Sequence, residues 1–466
     1  MSLVCNFDGF ACEGFYMLKA KLVGKAAVVG LNMLRNSDGK ALPRIMKFVD
    51  RAASKTFPTQ MEIIDRYLLD EESNVYKMLK RFGDDIDAEV VNTLVVNFLE
   101  HAMLDGWKKQ SELRNTLGCN IPWAILLDPT SACNLKCTGC WAADYGNRLN
   151  LTYEDIDSII TQGKELGIYM YIYTGGEPLI RKADIIRLCE KHNDCVFLCF
   201  TNGTLIDQDF CNELLRVRNF VPAISLEGNA FTTDSRRGEG VYERVVEAMR
   251  LMKENHLPFG ISCCYTSVNY ETVTSDEFMD QLIDWGSAFI WYFHYMPVGS
   301  DANIELMVTP EQREAMYHRV REIRTTKAIF AMDFQNDGQY VQGCIAGGRR
   351  YLHINAAGDV DPCVFVHFSD SNIHDMSLLQ ALQNPLFMAY HDGQPFNDNM
   401  LRPCPMLENP DKLREIIRST GAHSSNLEGE ETVEELCSRC DKYAEHWIET
   451  SEKLWAIDHK MGTFYH

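Results

Sequence analysis

Apolar residues in this chain follow two different rhythms. Up to about Gly118 they recur with helical spacing: Val91, Leu94, Val95, Phe98, Leu99 and Ala102 share one face, and no alternating run interrupts them. From Trp123 short apolar runs take over, at Trp123–Leu127, Ile168–Tyr173, Val196–Phe200, Val221–Leu226, Phe259–Tyr265 and Phe289–Met296. An amphipathic helical stretch separates each pair. Strand, helix, strand, repeated in this way, requires a parallel sheet with right-handed crossovers. The expected fold is α/β, a partial (β/α)6 barrel with a helical N-terminal extension and a small C-terminal region. Its expected divisions are 1–120, 121–305 and 306–466. Catalytic groups then belong at the C-terminal ends of the strands. The third region opens on Thr309-Pro310-Glu311-Gln312, a capping box with proline in the first turn.

Composition narrows the functions. With 46% hydrophobic residues the 466-residue chain can build a sizeable core, and its net charge of -21 repels phosphate backbones, so a nucleic-acid partner is not expected. No apolar run is long enough to span a bilayer, and the first residues carry Asp8 and Glu13 where a secretory signal is basic. A cytoplasmic protein is expected. In a reducing compartment its 17 cysteines point to metal ligation before disulfides.

The spacing of those cysteines is informative. Directly after the first strand come Cys133, Cys137 and Cys140, a C-x3-C-x2-C run followed by Trp141. A zinc site takes four protein ligands from paired C-x2-C units, whereas three thiolates on one loop can hold three irons of a [4Fe–4S] cluster and leave the fourth open. This run resembles the signature of the radical S-adenosylmethionine (SAM) superfamily. The resemblance implies that the open iron binds SAM, that one electron cleaves it to a 5′-deoxyadenosyl radical, and that a low-potential donor such as flavodoxin or ferredoxin supplies that electron.

Later strand ends continue the likeness. Thr174-Gly175-Gly176-Glu177-Pro178 resembles the family's GGEP segment, which implies contacts from Gly175, Gly176 and Glu177 to the SAM amino group. Thr201-Asn202-Gly203 is similar to the TNG strand end. Ser225-Leu226-Glu227-Gly228 is similar to SLDG with Glu in place of Asp, which implies ribose contacts from Ser225 and Glu227. Arg237, in Arg236-Arg237-Gly238, is expected near the SAM carboxylate, and Val298, after the sixth strand, near SAM. Cys195, Cys199, Cys211, Cys263 and Cys264 read as buried small hydrophobes.

Further on, Cys344 and Cys363 frame the pattern C-x13-G-x4-C, with hairpin strands at Tyr351–Asn355 and Asp359–Pro362 turning at Ala357-Gly358. This resembles the opening of the SPASM or twitch extension, which implies an auxiliary [4Fe–4S] cluster. Two further ligands would come from Cys404, Cys437 and Cys440. Cys437 and Cys440 form a C-x2-C that is equally a zinc signature.

Between Phe15 and Thr56 nine basic residues face only Asp38 and Asp50. The stretch reads first as a helical cap with a solvated basic face and second as a membrane-surface segment, which would place the protein peripherally at the membrane. No winged-helix strands of the kind found in leader-peptide-binding relatives are visible. The expected function is therefore radical SAM hydrogen abstraction from an unactivated C–H bond of a lipid-like substrate, for C–C coupling or oxidation. The rivals are a SPASM-type peptide maturase and a non-catalytic iron–sulfur or zinc protein.

Overall fold

The computed structural model describes residues 70–142, 148–299, 301–426 and 428–460, with a few helical residues between 21 and 35. The basic stretch Phe15–Thr56 thus lies outside the described residues except for scattered positions, among them the exposed Lys21 and Lys25.

All six expected strands are present: β1 (Ala124–Leu127), β2 (Met170–Tyr173), β3 (Val196–Thr201), β4 (Phe220–Ser225), β5 (Gly260–Tyr265) and β6 (Phe289–His294). Each pairs in parallel with the next, without a reversal of order. Their faces are covered on both sides, which is why β1 and β2 are buried at every position and read as unbroken apolar runs. The helices between them start on side-chain caps. Thr152 and Asp155 form a reciprocal capping box, and Asp207 and Ser275 each accept a hydrogen bond from the residue three further on.

The sheet is larger than the six strands of the sequence reading. β7 (Phe330–Asp333), which follows the helix Pro310–Thr326, pairs in parallel with β6. The expected hairpin forms as β8 (Tyr351–Ile354) and β9 (Val360–Asp361), but β8 also pairs in parallel with β1. One nine-stranded sheet, ordered β7-β6-β5-β4-β3-β2-β1-β8-β9, therefore runs across the boundary expected at 305/306. The short run Phe330–Asp333 has an exposed first residue and no helical stretch after it, so the βα rhythm that revealed the other strands is missing there.

The described N-terminal residues are helical, including Asn74–Asp85, Ala88–Val95 and Trp107–Leu117. They attach to loops that precede strands. Arg81 donates to the carbonyls of Ile283 and Ser287 at 2.8 and 2.6 Å, Asn97 to those of Asn193 and Cys195 at 2.7 and 2.9 Å, and Gln110 to that of Gly167 at 2.7 Å. At the last contact the chains almost touch: a Cβ on Gly106 would lie 2.5 Å from the Gly167 oxygen. The helical layer thus closes the N-terminal end of the barrel and leaves the other end to the site.

Candidate active site

The loop after β1 carries the three clustered cysteines, and hydrogen bonds to neighbouring strand ends hold it. Asn134 accepts from Asn202 Nδ2 and donates to the Thr204 hydroxyl, both at 2.8 Å, and the Thr138 amide donates to the Arg236 carbonyl at 2.9 Å. Gly176 packs directly beneath. A Cβ there would sit 2.1 Å from the Ala132 carbonyl oxygen, so only glycine fits.

Cys133, Cys137 and Cys140 line one cavity of about 240 Å³, together with Gly175, Gly176, Glu177, Asn202, Ser225, Arg236 and Arg237. Burial pushes the Cys133 thiol up to about 11 and raises Cys140 as well, so both ionise only against compensating positive charge, which a metal centre supplies. Positive charge is already gathered here: Arg237 Nη1 lies 3.9 Å from Cys137 Sγ. The buried Nε of Arg236 has no acceptor, an orphan donor that a ligand carboxylate would satisfy. The residues present therefore fit an open [4Fe–4S] cluster with SAM beside it.

Two expected contacts look different in the structure. Glu227 is fully buried and is absent from the cavity wall; its carboxylate receives Arg236 Nη1 at 2.8 Å and Arg237 Nη2 at 2.6 Å. Burial alone would raise this carboxyl, but the two guanidiniums outweigh it and hold the group below its usual range. The acidic side chain thus aims the arginines and does not itself face the cavity. Val298 is also buried outside the wall. Glu177 does line the cavity, yet it accepts from the Thr201 hydroxyl at 2.6 Å, the Asn202 amide at 2.7 Å and the Leu179 amide at 2.9 Å, tying the ends of β2 and β3 together.

The rest of the wall is aromatic, and the strand pattern accounts for it. Trp291 and Phe293 point inward at alternate positions of β6 and stack on each other at 5.3 Å, and Phe200 of β3 meets Phe293 edge-on at 5.5 Å. Phe334, just after β7, touches Phe293 on one side and Tyr351 and Phe365 on the other, so it bridges the open edge of the sheet. Cys264 was expected in the core, but it is only half-buried and lines the cavity. Its position in β5, at the same inward parity as Ser262, was the available signal. His294 also faces the cavity. Its Nδ1 donates to the Tyr295 carbonyl at 2.6 Å and its Nε2 accepts from the Tyr443 hydroxyl at 3.1 Å, while burial and the nearby Arg313 push it down to about 3, so it stays neutral.

The second cysteine region lies beside this cavity. Burial lifts the Cys344 thiol to about 12 and Cys363 to about 11, and Cys404 is raised by burial and by the neighbouring charges of Glu408, Cys344 and Cys363. The Tyr351 hydroxyl is 2.8 Å from Cys363 Sγ. The Tyr390 hydroxyl is fully buried among Cys344, Cys363, Cys404 and Cys437 and has no partner, an orphan that cluster sulfurs would satisfy. Cys440, which shares the C-terminal helix with Cys437, instead neighbours Glu408. A tetrahedral zinc ion at about 2.3 Å from each sulfur would bring neighbouring sulfurs to roughly 3.8 Å. Among the described residues no three cysteine sulfurs lie within even 4.8 Å of one another, so the donors are spaced more widely than one zinc ion takes. A fully buried chain, Asp128–His353–Asp361, joins the two regions: His353 Nε2 is 3.0 Å from Asp128 and Nδ1 is 3.1 Å from Asp361, and the two carboxylates push the imidazole up to about 10 despite its burial.

Residues 127–282 match the radical SAM superfamily. The AdoMet-dependent heme synthase of Methanosarcina barkeri is 24% identical over 297 residues, 57% of this chain and 83% of that protein. The PqqA peptide cyclase of Granulibacter bethesdensis is 25% identical over 263 residues, 52% of this chain and 67% of that protein. In fold, the chain is similar to Streptococcus suis SuiB bound to its precursor peptide SuiA, with a TM-score of 0.55 at 19% identity, covering 72% of this chain and 80% of that one. Over residues 127–282 this chain carries a radical SAM domain, with a [4Fe–4S] cluster and SAM as its cofactors, and its fold beyond that domain is similar to that of SuiB.

Proposed function

We propose that the chain abstracts hydrogen from a C–H bond of a substrate with an apolar body, held against the aromatic wall of the cavity. The observation that carries this reading is the continuity of that wall with the three-cysteine loop: one space receives both the cofactor and the reacting carbon. When bound, the cluster and SAM supply the electron and the carbon-centred radical. Cys133, Cys137 and Cys140 would hold the irons. Gly175, Gly176, Asn202 and Ser225 would border SAM, Glu177 would keep two of those strand ends in place, and Arg236 and Arg237, aimed by Glu227, would meet its carboxylate. Phe200, Trp291, Phe293 and Phe334 would pack against the apolar body of the substrate and hold the reacting C–H bond in place.

In the second region Cys344, Cys363, Cys404 and Cys437 would hold an auxiliary cluster, which suits an oxidative outcome because the substrate's second electron then has an acceptor. Cys440 is left outside this set. The test is direct: anaerobically reconstituted protein given SAM and dithionite releases 5′-deoxyadenosine and methionine. Absence of that release from protein with full iron content refutes the reading.

A peptide substrate is the second reading, favoured by the likeness to PqqA peptide cyclase and to SuiB bound to its precursor peptide. Comparing lipids, metabolites and small peptides of cells with and without the protein distinguishes the two. An electron donor of the flavodoxin or ferredoxin kind, and contact of the basic Phe15–Thr56 stretch with an anionic membrane, are parts of the proposal that co-purification and vesicle co-sedimentation would test.

A further inference from the structure

The cavity has a second polar end. Arg350 lines it, and the Arg350 carbonyl accepts from the Trp123 and Ala124 amides at 2.7 and 2.9 Å, which fixes the residue at the start of β1. The cysteine loop leaves the opposite end of that strand. Arg350 is one of three clustered arginines: its guanidinium lies 4.6 Å from the centre of the Trp107 ring, that of Arg114 lies 5.2 Å from the same ring, and Arg349 adjoins them. Arg114 and Trp107 come from the N-terminal helical layer, so this place exists only where that layer meets the barrel.

Two of the three have local duties. Arg114 donates to the Ile121 carbonyl at 3.0 and 2.6 Å, and Arg349 to the carbonyls of Val341 and Gln342 at 3.0 and 2.7 Å. Arg350 makes a single long bond, 3.3 Å, to the Arg349 carbonyl. Among the described residues no carboxylate oxygen lies within 4.0 Å of any of these guanidiniums. Two arginines deeper in this acidic chain are paired: Arg236 with Glu227 at 2.8 Å and Arg313 with Glu408 at 2.7 Å. Burial and the charges of Arg349 and Arg114 push Arg350 down to about 10, which is the mark of uncompensated positive charge. Three neighbouring guanidiniums without a carboxylate partner, one of them on a residue that lines the cavity, form a receptor for an anion.

We propose that Arg350, backed by Arg114 and Arg349, receives the anionic head, carboxylate or phosphate, of an amphipathic substrate whose apolar body lies along the aromatic wall. This rests on the reading of the cavity as the substrate site and adds to it a substrate class and a ruler. The four-residue strand β1 separates the two ends by roughly 13 Å at ~3.3 Å per residue, so the reacting carbon stands about that far from the anionic head.

The experiment uses reconstituted protein with SAM and no reductant, titrated with dodecanoate, monododecyl phosphate, 1-dodecanol and butyrate, and read by tryptophan fluorescence and calorimetry. At least one dodecyl anion is expected to bind tenfold or more tighter than dodecanol, with butyrate weaker than both. The tighter of the two anions tells a carboxylate head from a phosphate head. Arg350→Gln should abolish the preference. Equal affinity of the unaltered protein for anion and alcohol, or binding of none of the dodecyl ligands, overturns the proposal without reference to any variant, and so does a preference that survives Arg350→Gln. Release of 5′-deoxyadenosine by the same preparation separates the two readings. Protein that cleaves SAM without discriminating loses only the anion site, whereas protein that discriminates without cleaving loses only the proposed function.

Discussion

The two cysteine regions lie side by side in the fold and are built in opposite ways. Cys133, Cys137 and Cys140 sit on one short loop, half-buried, with glycine backbone beneath them, guanidiniums beside them and an open cavity in front. Cys344, Cys363, Cys404 and Cys437 come from separate segments and gather about two tyrosine hydroxyls, with Cys363 and Cys437 buried in the core and Cys344 and Cys404 packed against it. Three local donors leave a position for a ligand; four distant donors, bound to a cluster as proposed, would leave none and would act as a staple. The first arrangement suits reaction at the metal and the second suits holding and passing an electron.

Replacing Cys133, Cys137 and Cys140 together with alanine is the largest test of this contrast. Release of 5′-deoxyadenosine should fall to background while about one [4Fe–4S] cluster of iron and sulfide remains. If all iron is lost, the two regions are not independent.

Next in size is stability. Linking Cys344 to Cys437 closes a loop of nearly a hundred residues, and by the chain-entropy argument used for disulfides such a link contributes about 4–5 kcal/mol. Loss of the auxiliary ligands through Cys344→Ala with Cys437→Ala should therefore lower the melting temperature clearly more than loss of the three loop cysteines, whose loops are short. Calorimetry under anaerobic conditions checks this, and equal shifts would remove the staple. Cys440→Ala should leave iron content unchanged.

A smaller effect is expected from Glu177→Ala. Three donors lose a buried acceptor, at about 1–3 kcal/mol for each left unsatisfied. SAM binding should weaken several-fold because the ends of β2 and β3 separate, while the iron content stays near normal. Glu177→Gln, which keeps an acceptor, should restore most of the affinity. Iron loss in Glu177→Gln would show that the residue holds the metal loop instead.

The smallest effect is a shift in potential. The Tyr351 hydroxyl lies 2.8 Å from Cys363 Sγ and would donate to it once that sulfur is a thiolate ligand, and a hydrogen bond to a cluster sulfur stabilises the reduced, more negative state. Tyr351→Phe should make the auxiliary midpoint potential more negative in an EPR-monitored titration and leave the SAM-binding cluster where it was. Movement of both potentials, or of neither, would place the Tyr351 hydroxyl outside the auxiliary site.

The contrast between the regions also governs what could be read without coordinates. Covalent spacing kept Cys133, Cys137 and Cys140 together, and the buried parallel strands around them announced themselves as apolar runs, so the loop, its strand and the six-strand order were all legible in the sequence. So were the β8–β9 hairpin and the Thr309 capping box, because turn and cap chemistry acts over a few residues. Tertiary contact alone decided the rest. It placed β8 against β1, added the short β7, turned Glu227 away from the cavity onto two arginines, and brought Cys264 into the wall. It also set Arg114 of the N-terminal layer beside Arg350, residues more than two hundred positions apart. The physical reason is one of range. Hydrophobic period, turns and metal-binding spacing are properties of neighbours along the chain, whereas the direction of a charged side chain depends on counter-charges that folding brings from elsewhere, and a sequence does not state which of them arrive.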